Sequence, residues 1–215
     1  MTHSARLISV TPDAEKNIVY MARVSNPSNQ SNEETAPRLL RYLIKHRHWS
    51  PFEMASMAVE IQTTRAIETQ ILRHRSFSFQ SFSQRYSSVD ELPPIATPML
   101  RSQDAKNKQA SHDDIPEEVL EPLNDLIDEH FRQAITLYRH LLASGVAKEC
   151  AREVLPLATP TRLYMHGTIR SWIHYLQIRS GVETQLEHRM VAQSILGIFK
   201  ETFPVIAEAA FSLPE

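Results

Sequence analysis

Residues 73–86 read RHRSFSFQSFSQRY. These fourteen residues hold three arginines, one histidine, four serines, three phenylalanines, two glutamines and one tyrosine, with no acid and no glycine. Cationic donors, neutral donors and flat aromatic faces lie together, as gripping a phosphate beside a planar ring requires. The same composition suits an amphipathic edge strand with solvated arginines. Arg73, His74 and Arg75 argue against that plainer reading, because adjacent cations repel and a nearby anion relieves them.

Upstream, the hydrophobic period is that of a strand. In residues 54–62, Ala55, Met57, Val59 and Ile61 fall on one face, and Ser56, Ala58, Glu60 and Gln62 on the other. Thr63 or Thr64 then caps a helix expected to reach His74, with Ile67 and Ile71 inward. Gln70 lies one turn before Arg73 and His74, so those side chains are expected to act together. Further back, residues 5–10 read as a first strand and 12–23 as a helix leading to the turn-rich SNPSNQSN. The capping-box pattern Ser31-x-x-Glu34 predicts a helix over about 33–47, with Leu39, Leu40, Leu43 and Ile44 inward.

Downstream, residues 76–89 are expected to be extended, and a polar, proline-containing connection follows over 91–114. Leu120, Leu123, Ile127, Phe131, Ala134, Tyr138 and Leu141 recur at helical spacing until Gly145, a stripe for the core or a subunit interface. Residues 161–166 predict a short strand, and a helix is expected from about Thr168 to Ser180. On it Thr168, Trp172, Tyr175 and Arg179 share one face, with Arg170 and His174 roughly opposite. Its ends lie about 16 Å apart at ~1.5 Å per residue, so one helix can serve two ligands. TQLEHR, residues 184–189, opens the last long helix, with Met190, Val191, Ile195, Ile198 and Phe199 as its apolar face.

The 215 residues, 42% hydrophobic and 22% charged, suffice for one sizeable core. A net charge of -2 makes any anion site a local cluster and argues against a nucleic-acid binder. The single cysteine, Cys150, excludes an internal disulfide and fits a reducing compartment. It sits in a helical pattern without an activating pair and reads as a buried structural residue. No apolar run approaches the ~20 residues of a membrane helix, and the N-terminus lacks a signal-peptide core; cytoplasm is the expected address and no membrane partner is expected. The four glycines form no GxGxxG or P-loop pattern.

Arg73-His74-Arg75, seven residues, then Ser83 resembles the RHR-x7-S signature of the flavin-dependent thymidylate synthases. The likeness continues into Gln84-Arg85-Tyr86. His48-Trp49-Ser50-Pro51-Phe52-Glu53 is similar to the family's H-x-(S/T)-P-F-E segment, Ala151–Pro156 to a segment whose arginine contacts the nucleotide phosphate, and Thr184–His188 to its TQxEH. The resemblance implies an α+β fold, a single domain over 1–215 with a central, largely antiparallel twisted sheet flanked by long helices. It implies methylation of dUMP to dTMP, with methylenetetrahydrofolate giving the one-carbon unit and FAD, reduced by NADPH, the hydride. It also implies a homotetramer in which each active site collects residues from several subunits.

Position by position, the resemblance makes Arg179 the catalytic arginine at the uracil. It places Gln70, Ile71, Leu72, Arg73, Ser81, Phe82, Ser83, Gln84, Arg85, Arg152 and Arg179 at dUMP. It places His48, Ser50, Arg73, His74, Arg75, Ser81, Thr168, Arg170 and His174 at FAD. Ser83 is no nucleophile, since no base relay is legible beside it. Three positions depart from the pattern. Ser81 stands where the family usually has glutamate, which removes a charge-assisted acceptor worth ~1.5–3 kcal/mol. Thr168 and His174 replace frequent asparagines and keep hydrogen-bonding capacity.

Two other readings compete. His46, His48, His74, His166, His174 and His188 suggest a metal, but neither HExxH nor CxxC spacing is present, and no metal is expected. A single-strand RNA or DNA module would use the arginine–phenylalanine mixture of 73–86, but no second basic stripe supports it.

Overall fold

In the computed structural model, which describes residues 3–212, the chain runs through β1 (Ser4–Val10), α1 (Ala14–Ala22), α2 (Ala36–Lys45), β2 (Ser56–Thr64), α3 (Arg65–Ile71), β3 (Ser78–Ser81), β4 (Ser102–Gln103), β5 (Ser111–His112), α4 (Glu117–Ala143), α5 (Lys148–Ala151), β6 (Pro160–Thr168), α6 (Ile169–Arg179), α7 (Leu186–Thr202) and α8 (Pro204–Phe211). The main sheet has the order β1-β2-β6-β3, and β4 and β5 form a separate antiparallel pair. Ile169 N donates to Ala55 O at one end of the β2–β6 pair and Arg65 N to Thr159 O at the other, both at 2.9 Å, so these strands run antiparallel. The end of β1 meets the start of β2 in the same sense, Thr11 N donating to Ser56 O at 3.0 Å. The expected α+β architecture is the one adopted.

The chain groups into two compact units. One comprises residues 4–61, 72–80 and 164–212. There α7 packs on β1 and α6, and α2 on α8. The alternation of β2 works as read: Met57, Val59 and Ile61 are fully buried. Trp172 of α6, also fully buried, donates from Nε1 to Met57 O at 3.0 Å and meets Phe77 edge-on at 4.7 Å. Glu60 departs from the alternation, being 3% exposed on the face expected to be polar. Arg6 explains it with a two-pronged bond at 2.9 Å to each carboxylate oxygen.

The other unit comprises residue 3, 62–71 and 81–163 within the described residues. Its core gathers Val89, Tyr138 and Ala151, with Ile135, Leu142 and Leu155 packed around them. In the long helix α4 only Ala134 and Tyr138 of the expected stripe are buried; Leu123 is exposed, and so are Val119, Leu126 (68%) and Leu137. These apolar residues stay exposed among the charged ones that make up much of the surface of α4.

Several local expectations are corrected. The Ser31–Glu34 capping box does not form; α2 starts at Ala36, with Pro37 in its first turn and Thr35 making no side-chain cap. Proline fits a first turn, where its missing N–H is not needed. α3 stops at Ile71 rather than continuing to His74, so Gln70 is not stacked one helical turn below Arg73. The extended run expected over 76–89 is confined to β3, and the chain then turns at Ser83, whose carbonyl accepts from Tyr86 N and Ser87 N. Cys150, expected to be buried, is exposed: in the four-residue α5 it is Ala151 that faces inward.

Candidate active site

The first cluster is built around α6. Thr168 ends β6 and caps the helix, its Oγ1 accepting from Ser171 N at 3.3 Å. The same hydroxyl donates to Glu53 Oε2 at 2.7 Å, and Arg170 Nη1 donates to Glu53 Oε1 at 2.6 Å. The bonds from Arg170 and then Thr168 hold the Glu53 carboxyl below its usual range. These groups line a cavity of about 430 Å³ together with Trp49, His174 and Gln177. Thr168 thus shares a site with Arg170 and His174 instead of facing away with Trp172 and Tyr175. A cap residue has left helical geometry, so the 100° wheel does not apply to it.

At the other end of α6, Arg179 is half-buried. Its Nε donates to His74 Nε2 at 3.0 Å. Its terminal nitrogens have no protein partner among the described residues. Burial, and then the neighbouring Arg179, push His74 down to about 4, so the ring is neutral near pH 7. Arg73 and Arg75 are exposed, and among the described residues neither has a hydrogen bond or ion pair. Their charges stay available to an anionic ligand. His48 and Ser50 are exposed and do not line the cavity; their neighbours Trp49 and Glu53 do. Trp49 and Glu53 belong to the HWSPFE segment, in which the resemblance points to His48 and Ser50.

The second cluster belongs to the other unit. Arg65, Gln84, Arg152 and Thr159 border a smaller cavity of about 290 Å³. Gln84 is 6% exposed, and among the described residues its Nε2 has no hydrogen-bond partner. Arg152 keeps one contact, Nε to Glu149 O at 3.3 Å, whereas Arg85 is paired with the Glu149 carboxylate at 3.1 Å. Arg65 pairs with Glu68 at 2.7 Å and had no sequence signal beyond a place in a first helical turn. Ser83 and Arg85 are exposed, and Ser81 and Phe82 half-buried, on the segment where Phe82 N donates to Arg162 O. Ile71 is fully enclosed, whereas Gln70 is half-buried and Leu72, in the first unit, is exposed. No group of three or more histidines, cysteines or carboxylates suited to a metal occurs among the described residues.

Residues 6–205 match the family model described as thymidylate synthase complementing protein. The chain belongs to the flavin-dependent thymidylate synthases. A probable flavin-dependent thymidylate synthase of Paramecium bursaria Chlorella virus 1 is 50% identical, over 96% of this chain and 98% of its own. A flavin-dependent thymidylate synthase of Synechocystis is 48% identical, over 89% and 87%. Among solved structures, the UMP/dUMP methylase PolB from Streptomyces cacaoi bound with 5-Br dUMP superposes with a TM-score of 0.83 at 28% identity, covering 96% of this chain and 93% of that one. As a flavin-dependent thymidylate synthase the chain is an enzyme, and its family's reaction is the methylation of dUMP. Among the described residues no helix is long and apolar enough to cross a membrane.

Proposed function

We propose that this chain converts dUMP to dTMP, with methylenetetrahydrofolate as one-carbon donor and FAD, reduced by NADPH, as hydride source. The observation that carries the reading is α6 itself: a cation-bearing cavity at its start and a held, unneutralised guanidinium at its end. The residues present fit a flavin. In the cavity Trp49 offers a flat face and Thr168 and His174 offer hydrogen bonds; Arg73 and Arg75, exposed outside its lining, offer charge for a pyrophosphate, to which Arg170, already paired with Glu53, adds a weaker pull. FAD brings the redox chemistry, which no side chain here supplies. Arg179 then acts on the uracil. Its guanidinium is always charged and donor-only, so it stabilises negative charge developing on the ring without transferring a proton.

The second cluster takes the nucleotide phosphate in this reading. Arg152, held only through Nε to Glu149 O, and the Gln84 Nε2 group offer donors to the phosphate, and Gln70, Ser83 and Arg85 complete the contacts. Arg65, with its charge already shared by Glu68, adds a weaker pull. The resemblance assigns Leu72, Ser81 and Phe82 to dUMP as well, and His48, Ser50 and His74 to FAD. A homotetramer is supported by the exposed Val119, Leu123, Leu126 and Leu137 of α4, and one functional domain by a family match that includes residues of both units. The absence of a disulfide-forming pair supports a cytoplasmic address.

The test is dTMP formation by purified protein with each of FAD, NADPH and methylenetetrahydrofolate omitted in turn. Dependence on all three is expected; turnover without one strikes that component from the reading. Ser81 lowers activity relative to a glutamate, so Ser81→Glu is expected to raise dUMP affinity or rate, and no gain in either refutes that part.

A further inference from the structure

Beneath Arg179 lies a column of neutral groups, the half-buried His74 and the buried Tyr175 and His188, whose bearing on Arg179 the reading above leaves unused. His74, the middle residue of Arg73-His74-Arg75, meets Tyr175 edge-on at a centroid distance of 4.8 Å and 82°. Tyr175 is fully buried, and its hydroxyl lies 3.1 Å from His188 Nε2. His188 is also fully buried, its ring 6.3 Å from that of His74. Arginine has only donors, so the 3.0 Å contact from Arg179 Nε requires a bare Nε2 on His74, with the ring proton on Nδ1. A protonated His74 has no acceptor there and sets two cations side by side.

We propose that His74 is a positioning residue for this reaction: its bare Nε2 fixes Arg179, so that the terminal guanidinium nitrogens point at the pyrimidine, while Tyr175 and His188 brace the imidazole from below. The proposal rests on the reading of Arg179 as the uracil contact. An arginine at a helix end otherwise has several rotatable bonds and no fixed heading. The groups facing His74 are Arg179, His174 and Tyr175 on α6 and His188 on α7. The cationic Arg179 and burial keep the ring unprotonated at working pH.

The test compares His74→Leu, which removes the acceptor, with His74→Gln, whose Oε1 restores one near the lost Nε2. Bound flavin, KM for dUMP and kcat are measured on each FAD-loaded enzyme, with thermal melts confirming folding. His74→Leu is expected to lose roughly ten- to a hundred-fold in kcat with flavin still bound, the range of one hydrogen bond to a charged group. His74→Gln is expected to recover most of that loss. Equal activity of the two variants, or a loss confined to flavin occupancy, overturns the proposal. Arg179→Lys and the double variant Arg179→Lys/His74→Leu complete a cycle. A double variant no worse than Arg179→Lys alone is expected, and additive losses overturn the positioning role. Full activity in Arg179→Lys instead refutes the underlying reading of Arg179, a different failure.

Discussion

Replacing Arg152 with alanine probes the proposed phosphate contact most cleanly. The guanidinium opens the 3-10 turn Arg152–Val154 and keeps only the 3.3 Å contact from Nε to Glu149 O. No carboxylate pairs with it among the described residues, because the Glu149 carboxylate is taken by Arg85. Its removal breaks no internal ion pair, and at a half-exposed position the stability change should stay within about 0.5 kcal/mol. The loss therefore shows in the ligand. One charge-assisted hydrogen bond is worth ~1.5–3 kcal/mol, so dUMP should bind roughly 10- to 150-fold more weakly. Deoxyuridine has the same base and sugar but no phosphate, and its affinity should not change. Arg152→Lys keeps the charge without the planar fork and should fall between. Calorimetric titration of all three proteins with both ligands gives the ratio directly. Equal losses for dUMP and deoxyuridine, or none for either, refute the assignment of Arg152 to the phosphate.

Gly167→Ala places a Cβ 2.5 Å from Phe77 Cδ1, and Phe77 is wedged against Trp172, so a loss of about 1–3 kcal/mol is expected in chemical denaturation; an unchanged midpoint contradicts the packing described. Glu53→Gln removes a pair with Arg170 that is partly exposed and worth at most about 1 kcal/mol. Because the folded Glu53 carboxyl is depressed, its contribution is present above the unfolded value near 4.3 and lost as pH falls through the lower folded value. The variant should therefore lose stability at pH 7 but nothing at the acid end, and equal losses at both ends sink this reading. Cys150 is exposed, so a thiol reagent should label the folded protein rapidly, and Cys150→Ser should shift stability by less than about 0.5 kcal/mol; slow labelling would return the cysteine to the core.

Local periodicity carried much of the fold. The alternation of β2 and the helical spacing of α6 and α7 were plain because each buries a face that repeats within a few residues. What escaped depended on partners far along the chain. Glu60 is buried because Arg6 reaches it from the neighbouring strand β1, and nothing near Glu60 in the sequence announces that. α4 offered a readable stripe, but the same periodicity describes a helix packed on its own chain and one left apolar at the surface. Of the residues proposed for the two clusters, Arg73, Arg75, Arg170, Arg179, Gln84 and Arg152 could be named from motif positions. The link from Arg179 through His74 to Tyr175 and His188 could not, since it joins residues separated by 105 positions. Glu53 was visible as a letter of HWSPFE, but its bond to Thr168, 115 positions on, was not.

The most direct measurement is the visible absorbance of the purified protein, taken with FAD and again after dUMP is added. The account requires a bound-flavin band that shifts or sharpens with dUMP, showing that the cofactor senses the nucleotide. A protein that binds no flavin in excess FAD, or a flavin band indifferent to dUMP, would contradict it.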